Sequence, residues 1–341
     1  MEISKEGTLV IKGIAIMFML WHHLFLDTLD FGIFPNQLAI IMKVCVAMFL
    51  FVSGYGLSVQ YAKHEYQTFR GTIRFLLIRL SKFFLSYWFC MIIVLVVGHI
   101  SGYTIFDRYP SSRNTLKCLL LDVFGQMGYA SYLSTWWFNK LILQLYLIFP
   151  ILFLLLKNRL TMFLGLLGIA CVQQFVPCRV FCIEEGGLFA FYLGIISSAI
   201  HPTTSHRRAT SIIASSLTIL TLVFIRLKFS YINYMIIDGL IAMVIAFFIS
   251  STIKNHTFPI TSYIGKYATI MYLSHTLLQI IFQPILYSTN YAIINYLIFL
   301  SISLSAAILI DKLQDLSRYK MIAQYVTKQI NSSRYLNPTI T

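Results

Sequence analysis

The stretch TLVIKGIAIMFMLWHHLFL, residues 8–26, decides the fold of this chain. Of its nineteen residues, only Lys12, His22 and His23 can carry a charge. An apolar run of this length, wound as an α-helix, crosses the hydrocarbon core of a bilayer. No small-residue cleavage site follows the run, so we expect it to remain in the mature protein as a transmembrane helix.

Nine further apolar runs follow the first one along the chain. The sequence therefore predicts an all-α integral membrane protein, a bundle of about ten transmembrane helices over residues 1–311. Residues 312–341 are predicted to be a cytoplasmic basic amphipathic tail that can lie along the anionic inner leaflet. The predicted spans after the first are residues 38–59, 80–99, 137–156, 160–176, 187–200, 209–227, 233–253, 264–286 and 291–311.

The composition excludes the soluble classes of protein. Hydrophobic residues make up 58 % of the chain and charged residues 11 %, whereas a soluble domain carries about a quarter charged residues. The net charge of +14 does not indicate nucleic-acid binding, because the cations flank apolar spans instead of forming one basic stripe. Eighteen of the 26 Lys and Arg fall on the side of the N-terminus and six on the other, with Lys43 and Lys140 within or beside spans. This bias predicts that both termini are cytoplasmic.

The remaining ionisable groups and thiols give weaker signals. Asp238, near the start of the eighth span, is expected to pair with Arg226 or Lys228, since an isolated charge there is costly. Cys178 and Cys182 share a short loop and could pair or bind a metal. No CxxC or His/Cys spacing indicates a zinc site, and we expect no metal.

The two adjacent histidines of the first span are the strongest candidates for chemistry. His23 lies about 22 Å along the helix from Thr8, which places it in the outer half of the membrane. Its neighbour His22 points about 100° away, so one ring can face a cavity while the other packs on a helix. A buried imidazole stays neutral, the form that a general base or a nucleophile needs. The alternative is a histidine at the membrane interface that binds a backbone carbonyl.

A basic cluster lies at the start of the third span. Arg74, Arg79 and Lys82 lie in one run, and Arg79 and Lys82, three residues apart, share a helical face. Such a cluster at the inner mouth of a bundle suits a ligand rich in phosphate. The alternative is an anchor that only sets the orientation of the chain.

These motifs occur together with others in an order that resembles the acyltransferase 3 family. The chain departs from the family pattern at Ala47, Lys82 and Leu85, where an acidic residue, an arginine and a proline are usual. The blocks that carry the resemblance are Lys12-Gly13-Ile14-Ala15 through His23, Phe49–Tyr55, Arg79–Lys82 with Tyr87-Trp88, Trp137-Phe138 with Leu145-Tyr146 and Phe149-Pro150, and Gly265-Lys266-Tyr267 with Tyr272–His275.

The resemblance implies a membrane-bound enzyme, in the bacterial cytoplasmic membrane, that O-acylates carbohydrates of the cell envelope. The donor would be acyl-CoA, chiefly acetyl-CoA, and the acceptor a cell-surface polysaccharide or a lipid-linked sugar. Polysaccharide assembly enzymes are expected partners besides the lipid bilayer. A transporter or flippase of an envelope precursor, or a non-catalytic scaffold, is the alternative.

The resemblance also assigns residues to roles. His23, with His22, would be catalytic, and the basic cluster would hold the CoA phosphates. The expected substrate-binding residues are Ser53, Trp137, Tyr272 and His275. Each has a structural alternative: Ser53-Gly54 allows close helix packing, Trp137 fits an aromatic belt at the membrane interface, and His275 can bind a backbone carbonyl.

Overall fold

The computed structural model is helical throughout the part of the chain that it describes, without a β-strand there. It describes residues 3–26, 28, 30–63, 66–109, 112–126, 130–175, 187–200, 208–229, 233–253 and 257–333. The helices are α1 (Lys5–Phe25), α2 (Ile33–Met42), α3 (Cys45–Tyr61), α4 (Phe69–Ile100), α5 (Ile105–Arg108), α6 (Ser112–Val123), α7 (Trp137–Leu154), α8 (Arg159–Phe175), α9 (Gly187–Ala199), α10 (Arg208–Lys228), α11 (Tyr234–Ile253), α12 (Pro259–Ile281), α13 (Gln283–Leu286), α14 (Ala292–Leu316) and α15 (Tyr319–Ser332).

The prediction of an all-α membrane protein is confirmed, but the count of about ten spans is not. Within the described residues, six helical segments are long and apolar enough to cross a membrane. Helices α8 and α9 are apolar but shorter. The six segments are Lys5–Phe25, Ile33–Tyr61, Phe69–Ile100, Ser134–Lys157, Tyr234–Ile253 and Ala292–Leu316.

Three predicted spans differ from the structure by a helix break or by an extension of more than ten residues. The span predicted at 38–59 is two helices, because the chain breaks at Lys43 and Val44 between α2 and α3. The span predicted at 80–99 begins eleven residues earlier, at Phe69, where the Thr68 side chain caps the helix by accepting from Gly71 N–H at 3.0 Å. The span predicted at 264–286 divides at Phe282 into α12 and the short α13.

The chain divides into two compact units. The first comprises Met1–Gln60 and Ile148–Ala268, and the second comprises Tyr61–Leu147 and Thr269–Thr341. In the first unit, α11 packs against α1, α9 and α10, and α2 packs against α1. In the second unit, α4 packs against α14 and α15.

Glycines bring helices of the first unit into close contact at two places. A Cβ atom added to Gly54 on α3 would overlap the carbonyl of Phe191 on α9, and one added to Gly194 would overlap the carbonyl of Phe51. The same reciprocal arrangement joins Gly13 of α1 to Gly265 of α12. Small residues at a crossing let the two backbones touch, which is how helices associate inside a bilayer.

The predicted tail contains a helix, α15. It packs against α4, where the rings of Tyr319 and Phe89 lie 4.8 Å apart. Arg318 precedes the helix in the left-handed region with φ of +56° and turns the chain sharply after α14. The binding of this tail to a membrane surface stays a prediction.

Candidate functional site

The C-terminal turn of α1 is fixed by hydrogen bonds to α2. The indole N–H of Trp21 donates to the carbonyl of Pro35 at 3.2 Å. The side-chain amide of Asn36 donates to the carbonyls of Phe25 and Leu26, at 3.2 and 2.6 Å. These bonds satisfy carbonyls that have no partner inside the helix. The turn that carries both histidines is therefore held rigidly.

His22 and His23 differ in their surroundings, as the sequence predicts. His22 is 7 % exposed, and its Nδ1 lies 2.7 Å from the carbonyl oxygen of Ala39. A carbonyl only accepts, so Nδ1 carries the proton of this bond. His23 is partly exposed, and its ring meets that of His22 edge-on at 5.1 Å. His22 is thus an anchored ring beside the more accessible His23.

The predicted donor-binding cations all lie on α4. Arg74 is 3 % exposed, with its guanidinium over the ring of Tyr66 at 5.1 Å. The guanidinium of Arg79 lies over the ring of Phe75 at 5.4 Å. Lys82 is exposed. Aromatic rings stabilise the two guanidinium groups by cation–π contact and restrict their motion.

Tyr272 and His275 belong to one hydrogen-bonded cluster in the second unit. His275 is fully buried, with Nδ1 2.8 Å from the carbonyl of Tyr272 and Nε2 3.3 Å from the hydroxyl of Thr276. The hydroxyl of Tyr272 donates to the carbonyl of Thr135 at 2.8 Å, and the hydroxyls of Thr135 and Thr276 lie 2.7 Å apart. His275 thus adopts the carbonyl-bound arrangement that was the structural alternative.

The two neighbouring tryptophans have different roles in this cluster. Trp137, the predicted residue, is partly exposed and contacts Phe138, whose ring lies 5.5 Å from that of Tyr272. Trp136 is buried, and its indole N–H donates to the carbonyl of Leu273 at 3.2 Å. Sequence alone favours Trp137 because the family block begins there. Ser53 is partly exposed on α3, beside the helix crossing at Gly54.

Sequence reasoning missed a buried carboxylate that joins Tyr109, Ser131 and Tyr132. Asp122 accepts hydrogen bonds from the hydroxyls of Tyr109 and Ser131 and from the N–H of Tyr132, at 2.7 to 2.8 Å. Its backbone carbonyl accepts from the hydroxyl of Tyr87 at 2.6 Å. Burial raises the pKa of Asp122 above its usual 3.8, against the opposing effect of these hydrogen bonds. The available signal was an acid, Asp122, in a connection that also contains several tyrosines.

The predicted partner of Asp238 is confirmed. Arg226 forms a two-point ion pair with it, from Nε to Oδ1 at 2.5 Å and from Nη2 to Oδ2 at 3.2 Å. Both side chains are buried. Among the described residues, no group of three or more His, Cys, Asp or Glu could hold a metal ion. Cys178 and Cys182 lie outside the described residues.

Comparison with known proteins matches the chain to a family model. A family model described as an acyltransferase domain matches residues 10–312 of the chain. No curated protein and no solved structure matches the chain significantly. The matched region contains every predicted site residue, from His22 to His275.

Proposed function

The chain belongs to the acyltransferase 3 family, and we propose that it is a membrane-bound O-acyltransferase, specifically an O-acetyltransferase. It moves an acyl group from cytoplasmic acyl-CoA, chiefly acetyl-CoA, to a hydroxyl of a cell-surface polysaccharide or a lipid-linked sugar. The match of the family model over residues 10–312 is the observation that carries this proposal.

His23 is the proposed catalytic group. In one route its imidazole takes the proton of the acceptor hydroxyl while the hydroxyl oxygen attacks the thioester carbon. The new C–O bond forms, the C–S bond breaks, and the proton passes to the CoA thiolate. In the other route the imidazole nitrogen attacks the thioester carbon, the C–S bond breaks, and the ring N–H proton passes to the CoA thiolate. The acceptor hydroxyl then attacks the acyl group, the C–N bond breaks, and the hydroxyl proton returns to the imidazole.

His22 supports this chemistry by limiting the orientation of the ring of His23. Its Nδ1–H binds the carbonyl of Ala39, which leaves its ring in edge contact with His23. A ring fixed in this way limits the orientations of its neighbour, and restricted orientation lowers the entropy cost of reaching the reactive geometry.

The basic residues of α4 are the proposed binding site for the CoA phosphates. Arg74 and Arg79 are held against aromatic rings, and Lys82 is exposed beside them. Charge-assisted hydrogen bonds from such groups suit a ligand with several phosphates. The pantetheine arm, roughly 20 Å long, can then reach along a helix toward the outer half of the membrane.

We further propose a bacterial cytoplasmic-membrane location with both termini in the cytoplasm, based on the distribution of Lys and Arg. In this orientation residues 27–37 and 100–135 lie outside. Labelling of single introduced cysteines with a membrane-impermeant reagent tests the orientation. An extracytoplasmic C-terminus would contradict it.

Incubation of the purified protein with radiolabelled acetyl-CoA and envelope glycans tests the proposed activity. We expect labelled ester on the glycan fraction, and the same ester should be missing from a deletion strain. Movement of an envelope precursor across vesicles without ester formation would instead indicate a transporter or flippase. Absence of ester in both assays would contradict the proposal.

A further inference from the structure

Lys43 is a cation placed at a helix break within an apolar segment. It lies at the C-terminal end of α2, where the chain turns through Val44 into α3. Its Nζ donates to the hydroxyl of Tyr234 on α11 at 2.8 Å and lies 5.0 Å from the centre of that ring. Lysines inside transmembrane segments are rare because the ammonium is costly there, and they commonly mark a substrate or ion pathway.

The charges around Lys43 leave an excess of one positive charge. Asp238 is fully buried, and both of its carboxylate oxygens accept from Arg226. The ring of Tyr234 contacts both cations, because the guanidinium of Arg226 lies 5.5 Å from its centre. Arg226 thus matches the charge of Asp238, and no carboxylate in the described part of the chain forms an ion pair with Lys43.

The ammonium of Lys43 has N–H donors with which it can bind a ligand. An ammonium has three N–H donors, and Tyr234 takes one of them. The side chain is partly exposed, so a group from outside can reach the other two. The C-terminal end of α2 attracts a cation by its dipole, but that attraction is weak and leaves the donors available.

The position of Lys43 relates it to the catalytic histidines. It follows Ala39 by four residues on α2, which is one helical turn or about 6 Å. Ala39 is the residue whose carbonyl binds His22. The spare cation therefore lies one turn of helix from the contact that fixes the histidine pair.

We propose that Lys43, held by Tyr234, binds an oxyanion of the acceptor, a phosphate or a carboxylate close to the hydroxyl that is acylated. The acceptor is then an acidic glycan or a sugar linked through phosphate, and a neutral glycan lacks the group that this site recognises. This inference rests on the proposed acyltransferase function and names the chemical class of its acceptor.

Binding of glucose 1-phosphate to the full-length protein in phosphatidylcholine nanodiscs tests the site without any turnover. We expect a saturable rise in the thermal unfolding midpoint, with no rise for glucose. Lys43→Gln should need at least about tenfold more ligand, as expected for the loss of a charge-assisted hydrogen bond. Lys43→Arg keeps the charge and should retain binding. Tyr234→Phe keeps the ammonium but removes its anchor, and should weaken binding less.

Lys228→Gln is the matched control, since it removes an exposed lysine near the other end of the α10–α11 connection. It should bind as the wild type does. Equal ligand dependence of the wild type and Lys43→Gln would overturn the proposal, as would absence of any rise in the wild type. Nanodiscs that contain phosphatidylglycerol test a lipid ligand. If this lipid displaces glucose 1-phosphate from the wild type and its effect is lost in Lys43→Gln, the site binds a lipid headgroup and the acceptor assignment is wrong. Binding with no acyl transfer would contradict the enzymatic function instead.

Discussion

The Nδ1 atom of His22 lies 2.7 Å from the backbone carbonyl oxygen of Ala39, so a side chain of α1 binds the backbone of α2. This bond fixes the tautomer of His22 and the plane of a ring that touches His23. The pair therefore consists of one histidine with a structural partner and one that is more exposed. The difference decides which of the two should matter more for the chemistry.

Replacing His22 by Ala should reduce acyl transfer by about tenfold or less, because it removes one hydrogen bond but keeps His23. His22→Asn offers an amide N–H near the position of Nδ1 and should be closer to the wild type. Initial rates of transfer from labelled acetyl-CoA measure both effects. If His22→Asn were as inactive as a variant without His23, the ring of His22 would take part in the reaction itself.

Neutralising the donor site should raise the requirement for acyl-CoA. Arg79→Gln loses a charge-assisted hydrogen bond to phosphate, so donor affinity should fall by roughly ten- to hundredfold. Lys82→Arg should be tolerated or bind better, because guanidinium binds phosphate at two points. Arg70→Gln, exposed in the first turn of α4, is the control and should bind donor normally. Unchanged binding of acyl-CoA to purified Arg79→Gln would place the phosphate site elsewhere.

Removing the carboxylate of Asp122 should destabilise the protein. Asp122→Ala leaves the donors of Tyr109 and Tyr132 without their acceptor, whereas the Ser131 hydroxyl can still donate to the carbonyl of Leu133. The expected cost is about 3 kcal/mol or more in the free energy of unfolding, seen as a lower thermal midpoint in detergent. Asp107→Ala removes an exposed acid from the same connection that, among the described residues, accepts only from Thr104, and it should cost less than Asp122→Ala. An unchanged midpoint for Asp122→Ala would show that the network contributes little.

The stability contributed by Asp122 should also depend on pH. Its pKa in the folded protein is raised above 3.8, so the folded state binds this proton more tightly than the unfolded state. The contribution is therefore full below pH 3.8 and diminishes as the pH rises through the raised pKa. Subtracting the pH profile of Asp122→Asn from that of the wild type should reveal this slope, and a slope of opposite sign would refute the assignment.

The glycines at the crossing of α3 and α9 provide a test of packing with an internal control. Gly54→Ala places a methyl group against the carbonyl of Phe191 and should lower stability by about 1–3 kcal/mol. Gly56→Ala on the same helix has no neighbour within 4 Å and should be neutral or stabilising. Comparison of thermal midpoints separates the two variants. Equal behaviour would mean that the two helices are not in close contact.

An apolar run predicts the boundaries of a helix well where hydropathy falls abruptly at both of its ends. The spans predicted at 187–200 and 233–253 differ from α9 and α11 by one residue each. The early start of α4 was missed because Arg70, Arg74 and Arg79 lower the hydropathy of the segment before residue 80, and the predicted span begins only after them. Arginine, leucine and lysine are good helix formers, and they extend the helix beyond the apolar part.

The contacts that build the site were harder to predict than the helices. The pairing of Asp238 with a nearby cation follows from the cost of a buried charge, and Arg226 confirms it. Two other features depend on the geometry of the connecting segments, which hydrophobic periodicity does not predict. They are the hydrogen bonds of Asp122 and the different burial of Trp136 and Trp137. The helix break at Lys43 was hidden because apolar residues continue on both sides of it.

The central claim is that His23 carries acyl transfer, and one comparison of variants tests it most directly. Labelled acetyl-CoA is supplied to purified wild type and His23→Ala, with equal expression and equal thermal midpoints required of both. We predict ester formation by the wild type and a loss of at least about a hundredfold for the variant, as expected when a general base or nucleophile is removed. Ester formation at the wild-type rate by a folded His23→Ala protein would contradict the account.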